Sequence, residues 1–283
     1  MPQILAIETQ NRIKEWLDFL GYWNNPSDLE NLKKFQSDNG LVADGVFGQK
    51  TFNAMRTALL KFYCFEMDCL KVQKIQMPAD KVGNGFDFFR LRTDAAYWYR
   101  KLWNELKEYG AHLTSSGSDR ALSAKVSANR SEKSMHYPAI AFDLFVYSGM
   151  VNPELDTFII EKDGDYWRVW VRADKGELRT IQNPCTYQKR TGTGKPITAK
   201  VLDFTAIAQR YHFQRIKCRK SFFTDLRAVN QTASEWWHFQ NEFCLMPYFS
   251  TFGQELQEIF PLSQLEKSSV WEHSGALFKQ SWF

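Results

Sequence analysis

Apolar residues recur three or four positions apart between residues 13 and 59, the period of amphipathic helices rather than strands. Ile13, Trp16, Leu17 and Leu20 form a first stripe, with Gly21 as its stop. Ser27 or Asp28 caps a second helix carrying Leu29, Leu32 and Phe35, and Thr51 caps or begins a third with Phe52, Met55 and Leu59. Turns at Asn39-Gly40 and Asp44-Gly45 separate the last two. Three short helices joined by glycine turns are too few for a catalytic core but suit a binding module.

The pattern then changes. Residues 61–92 mix aromatics with charges, Pro78 and a Gly83-Asn84-Gly85 turn, and read as a connector. Ala95, Tyr97, Trp98, Leu102, Trp103 and Leu106 predict a helix ending near Gly110, followed by a short strand and turn in "AHLTSSGS". Alternating apolar positions predict strands over 139–147 and 165–174, and helical spacing returns over 199–213. The tail from 246 reads as two short helices split by Pro261. Strands and helices alternate irregularly, which favours an α+β domain over a doubly wound parallel sheet.

Composition narrows the class. In 283 residues, 44% apolar and 16% aromatic content supplies a packed core and excludes a disordered chain. The net charge of +4 is spread among acids, without the concentrated basic face of a nucleic-acid binder. Five scattered cysteines with no CxxC pair indicate neither a zinc ribbon nor a disulfide framework. No apolar run reaches the roughly 18 to 20 residues of a membrane span. The first residues lack the features of a signal peptide. Synthesis in a cytoplasm is expected, with release by another route if the protein acts outside, and the expected state is a monomer.

Two stretches carry candidate chemistry: "SMHYPAIAFDLF" (134–145) and "SEWWHF" (234–239). Asp143 lies in an apolar run, where an ionised carboxylate is costly unless paired, hydrogen-bonded or bound to metal. His136 precedes it across Pro138. Singly, each residue fits a packed core. Jointly, His136, Asp143 and His238 offer two nitrogen ligands and one oxygen, with a vacant fourth position, as in catalytic rather than structural zinc sites. Glu235 stands three residues from His238, where a base for a metal-activated water belongs. On a flat strand that spacing would not put both side chains on one face, so a bend or bulge is required there.

Two resemblances sharpen the picture. "LKKFQSDNGLVADGVFGQKTFNAM" (32–55) resembles the peptidoglycan-binding domain of cell-wall hydrolases through Phe35, Gln36, Gly40, Leu41, Asp44, Gly45, Phe47, Gly48, Thr51 and Ala54. It implies a wall-binding module, with Asp44, Gly45, Phe47 and Gly48 in its signature. The second resemblance is to the LAS group of zinc peptidases: D-Ala-D-Ala carboxypeptidases and dipeptidases, and L-Ala-D-Glu endopeptidases. Their SxHxxGxAxD motif is matched by Ser134, His136, Ala141 and Asp143, and their Glu-x-Trp-His motif by Glu235, Trp237 and His238. It implies one Zn2+ held by His136, Asp143 and His238, with Glu235 as catalytic base and Ser134 and Trp237 at the substrate. "LRTDAAYWYRKLWNELKEYGAHLTSSGSDR" (91–120) resembles the lead-in to the family's arginine motif, which makes Arg120 the oxyanion residue, with Arg130 as the alternative.

Three departures stand out. Ala139 replaces the motif glycine, the arginine motif is one residue longer, and about 90 residues separate Asp143 from Glu235. The implied organisation is a peptidoglycan-binding domain over 1–62, a connector over 63–91, and a zinc peptidase domain over 92–283. That domain carries an insertion around 150–200 and a C-terminal helical extension. The expected activity is hydrolysis of peptidoglycan stem peptides, L-Ala-D-Glu in preference to D-Ala-D-Ala, as in an endolysin freed through holin-type membrane holes. A non-catalytic, zinc-stabilised wall-binding protein is the alternative.

Overall fold

The computed structural model describes residues 5–126, 131, 133–224 and 231–273. The fold is α+β. In chain order it opens with α1 (Ile7–Phe19), α2 (Asp28–Asp38) and α3 (Gln49–Glu66), then β1 (Lys74–Pro78), β2 (Phe88–Arg92) and α4 (Thr93–Glu108). β3 (Ala141–Asp143), β4 (Phe158–Asp163), β5 (Tyr166–Ile181), β6 (Ile197–Asp203), α5 (Phe204–Arg210), β7 (Phe213–Arg215) and α6 (Ser221–Thr224) follow. β8 (His238–Asn241), α7 (Phe252–Gln257), α8 (Leu262–Leu265) and α9 (Ser269–His273) complete it. Among the described residues no helix is long and apolar enough to cross a membrane.

The chain divides into two compact units, one of residues 1–73 and 243–283, the other of residues 74–242. In the first, Ile13, Trp16 and Leu17 bury the stripe of α1, and Gly21 stops that helix in a left-handed conformation, φ +80°. The Ser27 hydroxyl caps α2 by accepting from the Glu30 amide. The C-terminal stretch, read from the sequence as an extension of the peptidase domain, groups with these helices. The Trp16 indole donates to the Phe243 carbonyl at 2.7 Å, and Phe249 packs edge-on against Phe47 at 5.0 Å. Arg56 reaches the buried Glu255 carboxylate at 3.0 Å and also pairs with Glu258. Such partners make the tail part of the first unit's core.

Among its described residues the second unit has three antiparallel sheets, in the orders β1-β2, β3-β8-β7 and β4-β5-β6. The stretch expected to be a connector supplies the hairpin strands β1 and β2. Residues 199–203, expected to be helical, belong to strand β6. There Ala199 and Val201 are buried on one face, and Asp203 ends the strand by capping α5 through the Ala206 amide. β5 extends past the expected strand to Ile181, with a register shift between Arg172 and Glu177. Gly176 lies at that shift, where a Cβ would meet the Val201 backbone at 2.7 Å.

The core beneath the β3-β8-β7 sheet is aromatic. Phe142 contacts Phe89 at 5.1 Å, Phe213 at 5.0 Å and its cross-strand partner Phe239 at 5.9 Å. Because strand side chains alternate, burying Phe142 and Phe239 turns Asp143 and His238 to the opposite face. A buried bidentate ion pair, Arg92 to Asp94 with both distances 2.7 Å, sits where β2 meets α4. The Arg92 amide donates to the Ala139 carbonyl at 2.7 Å, tying that junction to the turn behind His136.

Candidate metal centre

Asp143 and His238 are directly opposed residues of β3 and β8, so their side chains leave the sheet side by side. His136 joins them from the turn that precedes β3. Ala139 in that turn stands at φ +57°, a left-handed backbone that explains why the matching motif position is usually glycine. His136, Asp143 and His238 thereby bring one ligand atom each within 4.8 Å of one another. His136 Nε2 lies 3.1 Å from His238 Nδ1 and 3.3 Å from Asp143 Oδ2, and His238 Nδ1 lies 3.0 Å from Asp143 Oδ1.

The outer ring nitrogens decide what the inner ones can do. His136 Nδ1 faces the Ser118 carbonyl at 2.6 Å, and a carbonyl only accepts, so Nδ1 carries a proton. His238 Nε2 faces Gln240 Oε1 at 3.2 Å. The Gln240 amide is oriented by its own Nε2, which donates to Glu242 at 2.6 Å, so His238 Nε2 is a donor too. Two imidazole lone pairs then point at each other beside a carboxylate. Only a positive charge, a proton or a metal ion, relieves that arrangement. The donor set fits a divalent cation, with each imidazole held by an outer partner as metal-ligating histidines are.

The charges of the cluster agree. Burial favours a neutral Asp143, but the two imidazoles outweigh it and hold the carboxyl well below the usual carboxylate range. Burial opposes a charged His238, and the Asp143 carboxylate outweighs that, raising its pKa.

Glu235 stands on the turn that enters β8, at φ +55°. That left-handed turn provides the bend the sequence required between Glu235 and His238. Its side chain is 13% exposed and pairs with Arg219 at 2.8 Å. Burial raises its pKa, opposed by the charges of His238 and Arg219. Arg219 is a partner that no motif pointed to. Gln240 and Glu242 were missed as well, although Gln240 shares His238's strand face at a spacing of two.

The remaining expected residues lie nearby or are packed. The Arg120 amide donates to the His136 carbonyl at 2.9 Å, and its guanidinium covers the Tyr137 ring at 5.2 Å. The alternative arginine, Arg130, lies outside the described residues. The Ser134 hydroxyl accepts at a long 3.5 Å from the His136 amide, supporting the turn. Trp237 is buried edge-on against Trp236 at 5.9 Å, and its carbonyl accepts from the Leu144 amide at 3.0 Å. His212 is at φ +62° and packs on Trp98 at 4.4 Å.

In the first unit the motif residues hold one another. Gln36 Nε2 donates to Asp44 Oδ1 at 3.0 Å and to the Val46 carbonyl at 3.1 Å. Gln36 Oε1 accepts from the Gly45 amide at 2.8 Å. Gly45 needs φ +72°, Phe47 is buried and Gly48 is the N-cap of α3. Beside them Leu17, Trp23, Leu29 and Phe47, with Lys14 and Asp28 among the polar members, line an open pocket of about 250 Å³.

Comparison with known proteins bears on this unit. Residues 11–55 match the family model of the peptidoglycan-binding domain. The match lies within the first unit and supports peptidoglycan as a partner. No curated protein and no solved structure matches the chain.

Proposed function

We propose that the second unit is a zinc peptidase that hydrolyses stem peptides of bacterial peptidoglycan, with the first unit tethering it to the wall. The observation that carries the reading is the meeting of His136, Asp143 and His238 around one point. Glu235, a further carboxylate, lies close enough for its charge to act on His238. Three donors of this kind leave a zinc ion an open position, as catalytic sites do. When bound, the ion supplies Lewis acidity toward the scissile carbonyl and its attacking water.

The chain's own groups do the rest. Glu235 takes the proton of the attacking water and delivers it to the departing amine. Its burial favours the protonated form, which suits a carboxyl that must carry a proton between two partners. Arg120 donates to the carbonyl oxygen as negative charge develops there. Tethering raises the local concentration of intact wall, which favours the L-Ala-D-Glu bond within the polymer over a free dipeptide. The wording Glu235-Trp236-Trp237-His238 looks most like the dipeptidase branch of the resembled group, and that resemblance supports the second reading, D-Ala-D-Ala cleavage.

Turbidity loss of purified peptidoglycan tests the mechanism. Glu235→Ala is expected to lower the rate by about 10³-fold, the scale of a lost general base. Equal rates in variant and wild type would sink the mechanism, and a zinc-loaded wild type that neither clears the wall nor releases D-Ala would favour a wall-binding protein without catalysis. Mass spectrometry of the released fragments names the bond.

A further inference from the structure

Glu235 occupies a backbone conformation that side-chain-bearing residues rarely adopt, and such a conformation persists only where neighbouring contacts hold it. Beside the Arg219 ion pair at the carboxylate, two of those contacts come from the segment between residues 150 and 200. On one side of Glu235, the Ser234 carbonyl accepts from the Trp167 indole N–H at 2.6 Å. On the other, the Trp236 indole N–H donates to the Tyr187 hydroxyl at 3.0 Å. That hydroxyl donates in turn to the Val146 carbonyl at 2.6 Å, and the Tyr187 amide is held by the Met150 carbonyl at 2.9 Å.

All the groups in this bracket are buried: Ser234, Trp236, Trp167 and Tyr187. Trp167 belongs to β5 and is wedged against Phe222 at 5.8 Å and Phe223 at 5.6 Å. Trp236 rests on Gly149, where a Cβ would approach the indole to 2.8 Å. The two neighbours of Glu235 are therefore tied to one scaffold from both directions, and neither tie involves a member of the His136–Asp143–His238 cluster.

We propose that Trp167 and Tyr187 are positioning residues for Glu235, and that the inserted segment is the brace that keeps this turn in its left-handed form. The inference rests on the peptidase reading and deepens it. Removing the Trp167 indole donor or the Tyr187 hydroxyl acceptor frees one flank of the turn, and the carboxylate moves from its place beside the cluster. Displacement of a catalytic group by about 1 Å is enough to cost on the order of 10²-fold in rate.

The test uses the zinc-loaded full-length chain and a soluble stem peptide, with kcat, KM, zinc content and melting temperature measured together. Tyr187→Phe keeps the buried ring and removes only the hydroxyl, and Trp167→Phe removes the indole donor. Each is expected to lower kcat by about 10- to 100-fold while KM and zinc content stay within about twofold of wild type. If one variant fails to fold, the other carries the test. A kcat within twofold of wild type overturns the inference, and so does activity lost in step with zinc, since the brace would then serve the metal cluster. An inactive wild type overturns the peptidase reading and this inference with it. An active wild type with unaffected variants overturns the brace alone.

Discussion

The Gln36 cluster of the first unit and the His136 cluster of the second are both buried polar groups, yet their donors and acceptors balance differently. Around Gln36 every donor meets an acceptor: two N–H groups serve Asp44, Val46 and Thr51, and the carbonyl takes the Gly45 amide. Around His136 the outer nitrogens are satisfied by Ser118 and Gln240, leaving two inner lone pairs and a carboxylate converging without a proton of their own. The first cluster is complete as protein and holds a loop. The second is completed only by a cation. Donor counting of this kind separates a structural polar cluster from a ligand-seeking one where burial alone does not.

The sharpest way to break that comparison is to damage the complete cluster. Gln36→Ala removes the buried amide that ties Asp44, Gly45 and Val46 of an exposed loop back to α2. The side chain's own hydrogen bonds, two or three at about 1 kcal/mol net each, put the expected loss at about 2–3 kcal/mol. Urea unfolding of the full chain measures it, and zinc content should not change. A loss of zinc in this variant would show that the clusters are not independent.

The next variant weakens the open cluster without touching a ligand. Gln240→Ala removes the acceptor that keeps the His238 proton on Nε2 and its lone pair on Nδ1. Outer-shell changes of this type lower metal affinity by about 10- to 100-fold, or roughly 1.4 to 2.7 kcal/mol. Competition with a chelator of known affinity reads the shift. Unchanged affinity would remove Gln240 from the account of the tautomer and weaken the case for a cation site.

Periodicity made much of this architecture legible. The stripe Ile13-Trp16-Leu17 and the long apolar face of α4 have the helical period, and β5 announces itself by alternation. The stretch 199–203 misled because Lys200, Val201, Leu202 and Asp203 run straight into the helix of 204–210, and the cap at Asp203 is visible only as a hydrogen bond. Residues 74–78 and 88–92 read as a connector because their partner is each other across a loop, a non-local pairing that local spacing does not encode. At the site, His136, Asp143 and His238 were legible as residue types near recognisable neighbours. Gln240, Glu242, Arg219, Trp167 and Tyr187 were not, since each matters through one specific atom that folding brings into contact.

The smallest expected effect concerns the glycine that the His136 turn lacks. Ala139 is fully buried at φ +57°, where an L side chain costs about 1–2 kcal/mol relative to the right-handed region. Ala139→Gly would relieve that strain. It would also remove a buried methyl worth about 0.8 kcal/mol and raise the entropy of the unfolded chain by about 0.4–1 kcal/mol. Gain and loss nearly cancel, so the melting temperature should move by only a degree or two either way, corresponding to less than about 1 kcal/mol. Ala139→Val separates this balance from simple tolerance of the position. A branched Cβ is a genuine outlier in the left-handed region, and crowding a buried site costs about 1–3 kcal/mol more. A valine variant as stable as wild type would mean that the turn leaves its left-handed form easily, and that His136 does not depend on that form for its place.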